Sequence, residues 1–530
     1  MTATSVAEYV FIRTSICFLH HVALISILYC LLLLPYPFLP RIIHPYHAPF
    51  LLEAWFLAET VFFIVYLPYY SYLQQSAIHP ESLSREERGR LFERCNNNVT
   101  DPEKYLSQWF LGAKRQHIKR ENLKEFITWA FFNTDQAKAE NEEELDDYVK
   151  ATEKLLGREL SPGRGSAKSL RLTLGEVDCL HRSLLWYLCV STVDVVLYCS
   201  MLTIGFHFHR TSLGRFFALF PFRPLTLLST YRSPVQNLTY WHRPHTSNVR
   251  LPVLFIHGIG IGLYPYANFL RLLNEAKMLE GDDVEVGIIA LELMSVSSRI
   301  THPALEKDVM VREIQLIAEH HGWNKFILVS HSYGSIISTH LLKSSLTGPL
   351  IGPVVLIDPV SLLLHLPDVA YNFTARQPSS AKEHLLWYFG SKDIGVAHAL
   401  ARRFFWSENI IWKEELSVEG EQGGAGRNVT VVLSGRDLIV DAEAVGQYLT
   451  ASPSKESGAD AQVVETTKRD DGTAFTQTVN QGTGEWKRRS WTGYGLEVIW
   501  HEHLDHAQVF DCPKMMAPLI KAIRVYSVKG

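Results

Sequence analysis

The spacing of apolar positions divides the chain before any motif is read. Residues 15–34 are almost wholly apolar, about 20 in a row and so long enough to cross a hydrocarbon core, and Pro35, Pro37 and Pro40 end the run. No small-x-small cleavage site follows, which predicts an uncleaved anchor rather than a signal peptide. A second run, 50–72, carries Tyr66, Tyr69, Tyr70 and Tyr72 near one end, rings that settle at a membrane interface. It also holds Glu59 well inside. An ionised carboxylate at mid-membrane costs roughly 3 kcal/mol or more, so this helix is expected to face protein or lie in the interface. Arg13 precedes the first run, Arg85, Arg88, Arg90 and Arg94 follow the second, and only Arg41 lies between. That bias predicts a helical hairpin within residues 1–79 with both ends cytosolic.

Residues 80–240 read as helical. Leu123, Phe126, Ile127, Ala130 and Phe131 fall at i, i+3, i+4, i+7 and i+8, one apolar face of a helix that is expected to be packing and not a site. A Gly/Ser/Pro-rich break at 161–169 precedes a third apolar run, 183–208, with Asp194 in its middle. If that run crosses a bilayer, everything after it is lumenal; if it packs on the helical region or lies along the surface, the rest stays cytosolic. The second reading is preferred. From 251 the pattern changes to short β-branched runs alternating with helical ones, the signature of a mostly parallel sheet covered on both faces. Strands are expected at 252–256, 284–291, 326–329, 354–357, 428–433 and 496–500, and helices at 304–320 and 333–343. Two insertions interrupt the order: 361–427, aromatic and a candidate lid, and 451–493, polar and expected to be mobile.

Chemistry enters at Phe326-Ile327-Leu328-Val329-Ser330-His331-Ser332-Tyr333-Gly334, an apolar strand that runs into a nucleophile elbow. A serine on so tight a turn needs small residues two before and two after it, and Ser330 and Gly334 satisfy this, although Ser330 stands where glycine is usual. Serine hydroxyl is a weak nucleophile, so it needs a base, and the base needs an orienting acid. His506, which opens an apolar run after a strand and loop, is favoured over His501 and His503. Asp437, a few residues past the strand ending at Leu433, is the preferred acid; Asp358 in Ile357-Asp358-Pro359 is the rival, and Asp441 reads as a cap or solvated residue. Backbone amides of Ile259, in His257-Gly258-Ile259-Gly260, and Tyr333 are the expected oxyanion-hole donors. The same glycines lack the lysine, the Ser/Thr and the spacing of a phosphate loop.

Bulk composition narrows the rest. The chain has 530 residues, 47% apolar and 20% charged, so any membrane content is local and two or three units are expected. Net charge is −4 without a basic block, which sets nucleic acid aside as a partner. Seven scattered cysteines imply neither a disulfide framework nor a zinc site, and no cofactor motif is present. Four glycosylation triplets, at Asn98, Asn237, Asn372 and Asn428, do not decide the side of the membrane.

With these pieces together, residues from about 251 onward resemble the α/β-hydrolase superfamily, and the whole chain is similar to its membrane-associated members in fungi and related eukaryotes. The resemblance implies an α/β-hydrolase fold in 241–530, a triad of Ser332, Asp437 and His506, and an oxyanion hole at Ile259 and Tyr333. It leaves the substrate open, since the superfamily hosts esterases, lipases, thioesterases, acyltransferases and inactive members. The expectation is a membrane-anchored serine hydrolase of the endoplasmic reticulum type. It would be lipase-like, act on a lipophilic acyl ester and have the bilayer as its partner, with oligomeric state open. The anchor and the apolar insertion residues Leu362, Leu363, Leu364, Leu366, Leu385, Leu386, Trp387 and Tyr388 suggest that substrate. A catalytically silent membrane scaffold of the same fold is the alternative from another class.

Overall fold

The computed structural model describes residues 5–33, 47–136, 138–275, 286–416, 426–451, 463–468, 474–479 and 484–529. Of the 451–493 insertion, residues 452–462, 469–473 and 480–483 lie outside the described residues, so the expected mobility of this segment lies partly outside them; the paired segments Val463–Lys468 and Ala474–Val479 and the stretch from 484 are described.

Eight strands form the central sheet: β1 His207–His209, β2 Thr239–Arg243, β3 Val253–Ile256, β4 Ile288–Glu292, β5 Phe326–His331, β6 Ile351–Ile357, β7 Val429–Ser434 and β8 Leu496–His501. Their order is β1-β2-β4-β3-β5-β6-β7-β8, antiparallel at β1/β2 and β2/β4 and parallel from β4 to β8. The six expected strands are those from β3 to β8. Two were not foreseen: β1 overlaps the end of the segment read as a third apolar run, and β2 lies within the region read as helical, so the sheet begins before 241. The chain adds β4 on one side of β3 and β5 on the other, and this reversal opens a crevice beyond the carboxyl ends of the strands.

Alternation along the strands sorts two cores. Leu254, Ile256, Leu328, Leu356 and Val431 point to one face, where they meet Lys307–His320, Gly334–Lys343 and the helical region of Arg85–Asn96, Pro102–Trp109, Arg120–Phe132 and Glu142–Leu156. Val253, Phe255, Ile327, Val329 and Ile357 point to the other, against Leu184–Thr203 and the C-terminal helix Pro513–Lys529. The helical region is therefore a cover of the sheet. Ser84 and Glu87 close a capping box at its start, and Arg88 grips Glu144 through two bonds of 2.9 and 2.7 Å.

Among the described residues, three helices are long and apolar enough to cross a membrane: Val6–Leu33, Phe50–Leu73 and Leu184–Thr203. Glu59, the misfit of the second, is fully buried and accepts from the Leu184 and Leu185 amides at 3.0 and 3.2 Å. It caps the start of the third helix, where unpaired N–H groups and the helix dipole favour a carboxylate. Asp194, the misfit of the third, pairs with Arg299 and, at 3.4 Å, with Arg223, which also clasps Glu292 of β4.

Candidate active site

Strand β5 delivers Ser332 at φ +52°, a left-handed conformation that an L residue adopts only when its surroundings force it. Those surroundings are visible. The Ser332 amide donates to Ile357 O at 3.0 Å, and a Cβ on Gly334 would stand 2.5 Å from Ile256 O, so the helix after the elbow passes too close to β3 for any side chain there. Ser330, in the place of the usual glycine, fits because its buried hydroxyl accepts from Ser338 Oγ at 2.8 Å. Gly258 is as constrained: its Cβ would come 2.8 Å from Ser332 Cβ. Its amide donates to Tyr266 Oη at 3.3 Å, and that phenol meets His331 Nδ1 at 2.8 Å, which ties the loop after β3 to the strand before the serine.

The structure brings Ser332, His506 and Asp437 together. His506 Nε2 is 2.8 Å from Ser332 Oγ, and Nδ1 is 2.6 Å from Asp437 Oδ2. Asp437 is itself held, its Oδ1 accepting the Ile439 and Val440 amides at 2.7 and 2.9 Å. Burial alone would lower the His506 pKa, but the Asp437 charge and hydrogen bond, with Asp358 behind them, raise it to about 9. His503 instead meets Arg436 at 3.3 Å, and Asp441 caps Ala442–Thr450.

Asp358 lies against the same imidazole but has other duties. At φ +41° after β6, it accepts from Ser434 N at 3.0 Å, Ser434 Oγ at 3.1 Å and the Ala507 amide at 3.0 Å. Ala507 follows the base directly and is also left-handed, φ +67°. Asp358 thus fastens the histidine loop to β7. Burial, with the neighbouring Asp437 charge, pushes its pKa up to about 6.

Ile259 and Tyr333 line a cavity together with Ser332, and no acceptor among the described residues takes either amide. The remaining wall is apolar, with Val360, Leu364, Phe373, Leu400 and Phe404 from the long insertion and Trp109, Trp129 and Leu172 from the helical region. The indole N–H groups of Trp109 and Trp129 donate elsewhere, to His365 O and Thr173 Oγ1, so their rings offer carbon to the cavity. Sequence reasoning missed both tryptophans, because an aromatic on a packed helical face looks the same whether it faces core or cavity. Trp387 and Tyr388 of the insertion, read as lining for a lipid, pack instead with Ile12 and Ile16 of the first apolar helix; only Leu364 of the residues singled out there reaches the cavity.

The sheet order, with an elbow after β5, an acid after β7 and a histidine after β8, is the α/β-hydrolase fold. No protein-family model matches the chain, and no curated protein does. Solved structures with a similar fold include a carboxylesterase of the thaumarchaeon Nitrososphaera gargenis, at 12% identity, 56% of this chain, 98% of that one and a TM-score of 0.32. A membrane phospholipase A described as a bacterial virulence factor stands at 13%, 66%, 94% and 0.36. A carboxylesterase from Bacillus subtilis stands at 9%, 64%, 99% and 0.32.

Proposed function

We propose that this chain is a membrane-anchored serine hydrolase that cleaves a lipophilic carboxylic ester through an acyl-enzyme. The observation that carries the reading is the unbroken relay from Asp437 through His506 to a strained Ser332 at the floor of an apolar cavity. Neutral His506 takes the Ser332 proton through Nε2 while Oγ attacks the ester carbonyl, and Asp437 steadies the imidazolium. The tetrahedral oxyanion accepts from the Ile259 and Tyr333 amides, each donor contributing about 3–4 kcal/mol to the barrier reduction. His506 then returns the proton to the leaving alkoxide, and water releases the acid by the same steps in reverse.

An acyl chain is favoured as the occupant because, Ser332 and Thr374 apart, the cavity walls are hydrocarbon and aromatic. Access from a bilayer is supported by the insertion, which contributes Phe373 and Leu400 to the cavity while its Ala381 and Tyr388 grip the first apolar helix and its Ile394 the second. Beyond those grips, Phe18, Leu24, Ile25, Leu28, Leu57 and Val61 are left exposed for lipid. A fluorophosphonate probe tests the proposal. The purified native chain should label and Ser332→Ala should not; absence of Ser332-dependent labelling would favour the silent scaffold.

A further inference from the structure

Three imidazoles meet at the antiparallel edge of the sheet. His209 ends β1, His242 lies on β2, and His321 follows the helix Lys307–His320 that leads toward β5; one ring nitrogen from each lies within 4.8 Å of the others. The pairing register sets this up. His209 stands opposite Tyr240 and His207 opposite His242, so all four side chains share one face of the hairpin, and the end of Lys307–His320 comes down on it.

The cluster is not satisfied by its own protein. His209 is 4% exposed and His242 9%, and neither Nε2 has a hydrogen-bond partner among the described residues. Native interiors seldom leave such nitrogens unpaired. His209 Nδ1 lies 3.3 Å from Arg232 O, which only accepts, so Nδ1 carries the proton and the Nε2 lone pair is the one left over. This is how metal-bound histidines are held, one nitrogen fixed by a carbonyl and the other free to ligate. Metal binds the neutral imidazole, with one ring nitrogen free. Tyr240 Oη, 2.9 Å from His321 Nε2, orients the third ring. Stacking accounts for part of the arrangement, since the His242 and His321 rings lie 3.7 Å apart at 31°, but a stack gives the orphan nitrogens nothing.

We propose that His209, His242 and His321 form a tri-histidine site for a divalent transition-metal ion, zinc in the first place, with solvent in the fourth position. Neutral nitrogen donors suit zinc and its neighbours and not calcium or magnesium, which take oxygen. Zinc holds imidazole nitrogens at about 2.0–2.1 Å, which puts tetrahedral donors about 3.4 Å apart. To close the difference the rings would have to rotate, His321 leaving its stack on His242. The site would clip the β1/β2 edge to the helix that feeds the nucleophile strand. It is independent of the hydrolase chemistry.

The test uses the full chain, free of any histidine tag and purified without chelator. Elemental analysis should find about one zinc per chain, falling to below about a tenth in a His209→Ala/His242→Ala variant. Cobalt added to the metal-stripped native chain should give the visible bands of a four-coordinate nitrogen site, and zinc should raise its Tm. The last two readouts need no variant and keep the proposal exposed if the double substitution fails to fold. A native chain with no stoichiometric metal, no cobalt bands and no zinc-dependent Tm overturns it, as does metal retained undiminished in the folded double variant.

Discussion

Ser332, Asp358 and Ala507 all hold left-handed backbone angles, each costing of order 1–3 kcal/mol, and all three lie at the proposed catalytic site. That concentration makes the residue-scale predictions specific. Ser332→Ala should lower kcat by on the order of 10⁶, and Asp437→Asn by about 10⁴, because it leaves His506 in the wrong tautomer. Asp358→Asn should cost much less in kcat and show mainly as a lower Tm, since the side chain binds the Ser434 and Ala507 amides rather than the base. Steady-state kinetics of the pair decide the matter: a larger loss for Asp358→Asn would move the acid to β6. The pH dependence follows from His506. Its folded pKa is raised, chiefly by the Asp437 charge and hydrogen bond, so the acid limb along which kcat/KM climbs should lie above the ordinary 6.5. Asp437→Asn should bring that limb back toward 6.5. The same shift stabilises the fold fully below pH 6.5, and the contribution is lost as pH rises through 9. Thermal unfolding across that window measures it.

At the scale of elements, the parallel part of the sheet was legible because β3, β5, β6 and β7, buried on both faces, read as continuous apolar runs. The meeting of Ser332, Asp437 and His506, the proposed triad, was expected because the elbow needs Ser330 and Gly334 in fixed places and the sheet order puts the aspartate and the histidine after it. Strands β1 and β2 were not. His207-Phe208-His209 is too short to show a period, and Thr239-Tyr240-Trp241-His242-Arg243 mixes polar with aromatic positions that only the buried edge explains. Glu59 looked like a fault in an apolar helix because its partners, the Leu184 and Leu185 amides, lie 125 and 126 residues away. The helix Arg120–Phe132 shows the same limit in a form that can be tested. Its Trp129 reaches the cavity beside Ser332, so Trp129→Ala should open the far wall and move the preferred p-nitrophenyl ester toward longer acyl chains. An unchanged chain-length profile, with the variant still folded, would place the acyl group elsewhere.

For the whole molecule, the question is which side of a bilayer the sheet occupies, and Leu184–Thr203 holds the answer. Tyr187, Val190, Asp194, Leu197, Tyr198 and Met201 recur every three or four residues and are buried along the full length of the helix. Leu197, Tyr198 and Met201 belong to the core on one face of the sheet, and Asp194 is bound to Arg299 and Arg223. Were this helix to cross a membrane, it would have to carry two buried arginines and a flank of the sheet with it, or abandon them, and an ionised side chain at mid-bilayer costs roughly 3 kcal/mol or more. The first two apolar helices face no such conflict, since their long exposed faces meet nothing charged at Leu24, Ile25, Leu57 or Val61. We propose that those two form a hairpin while the third helix stays with the sheet, which would leave both flanks of the hairpin on one side, the cytosolic side by the arginine bias around it. In sealed microsomes, tags at the N- and C-termini should both be digested by added protease, while the chain should stay with the membrane through alkaline carbonate. A protected C-terminal tag would mean that the third helix crosses after all.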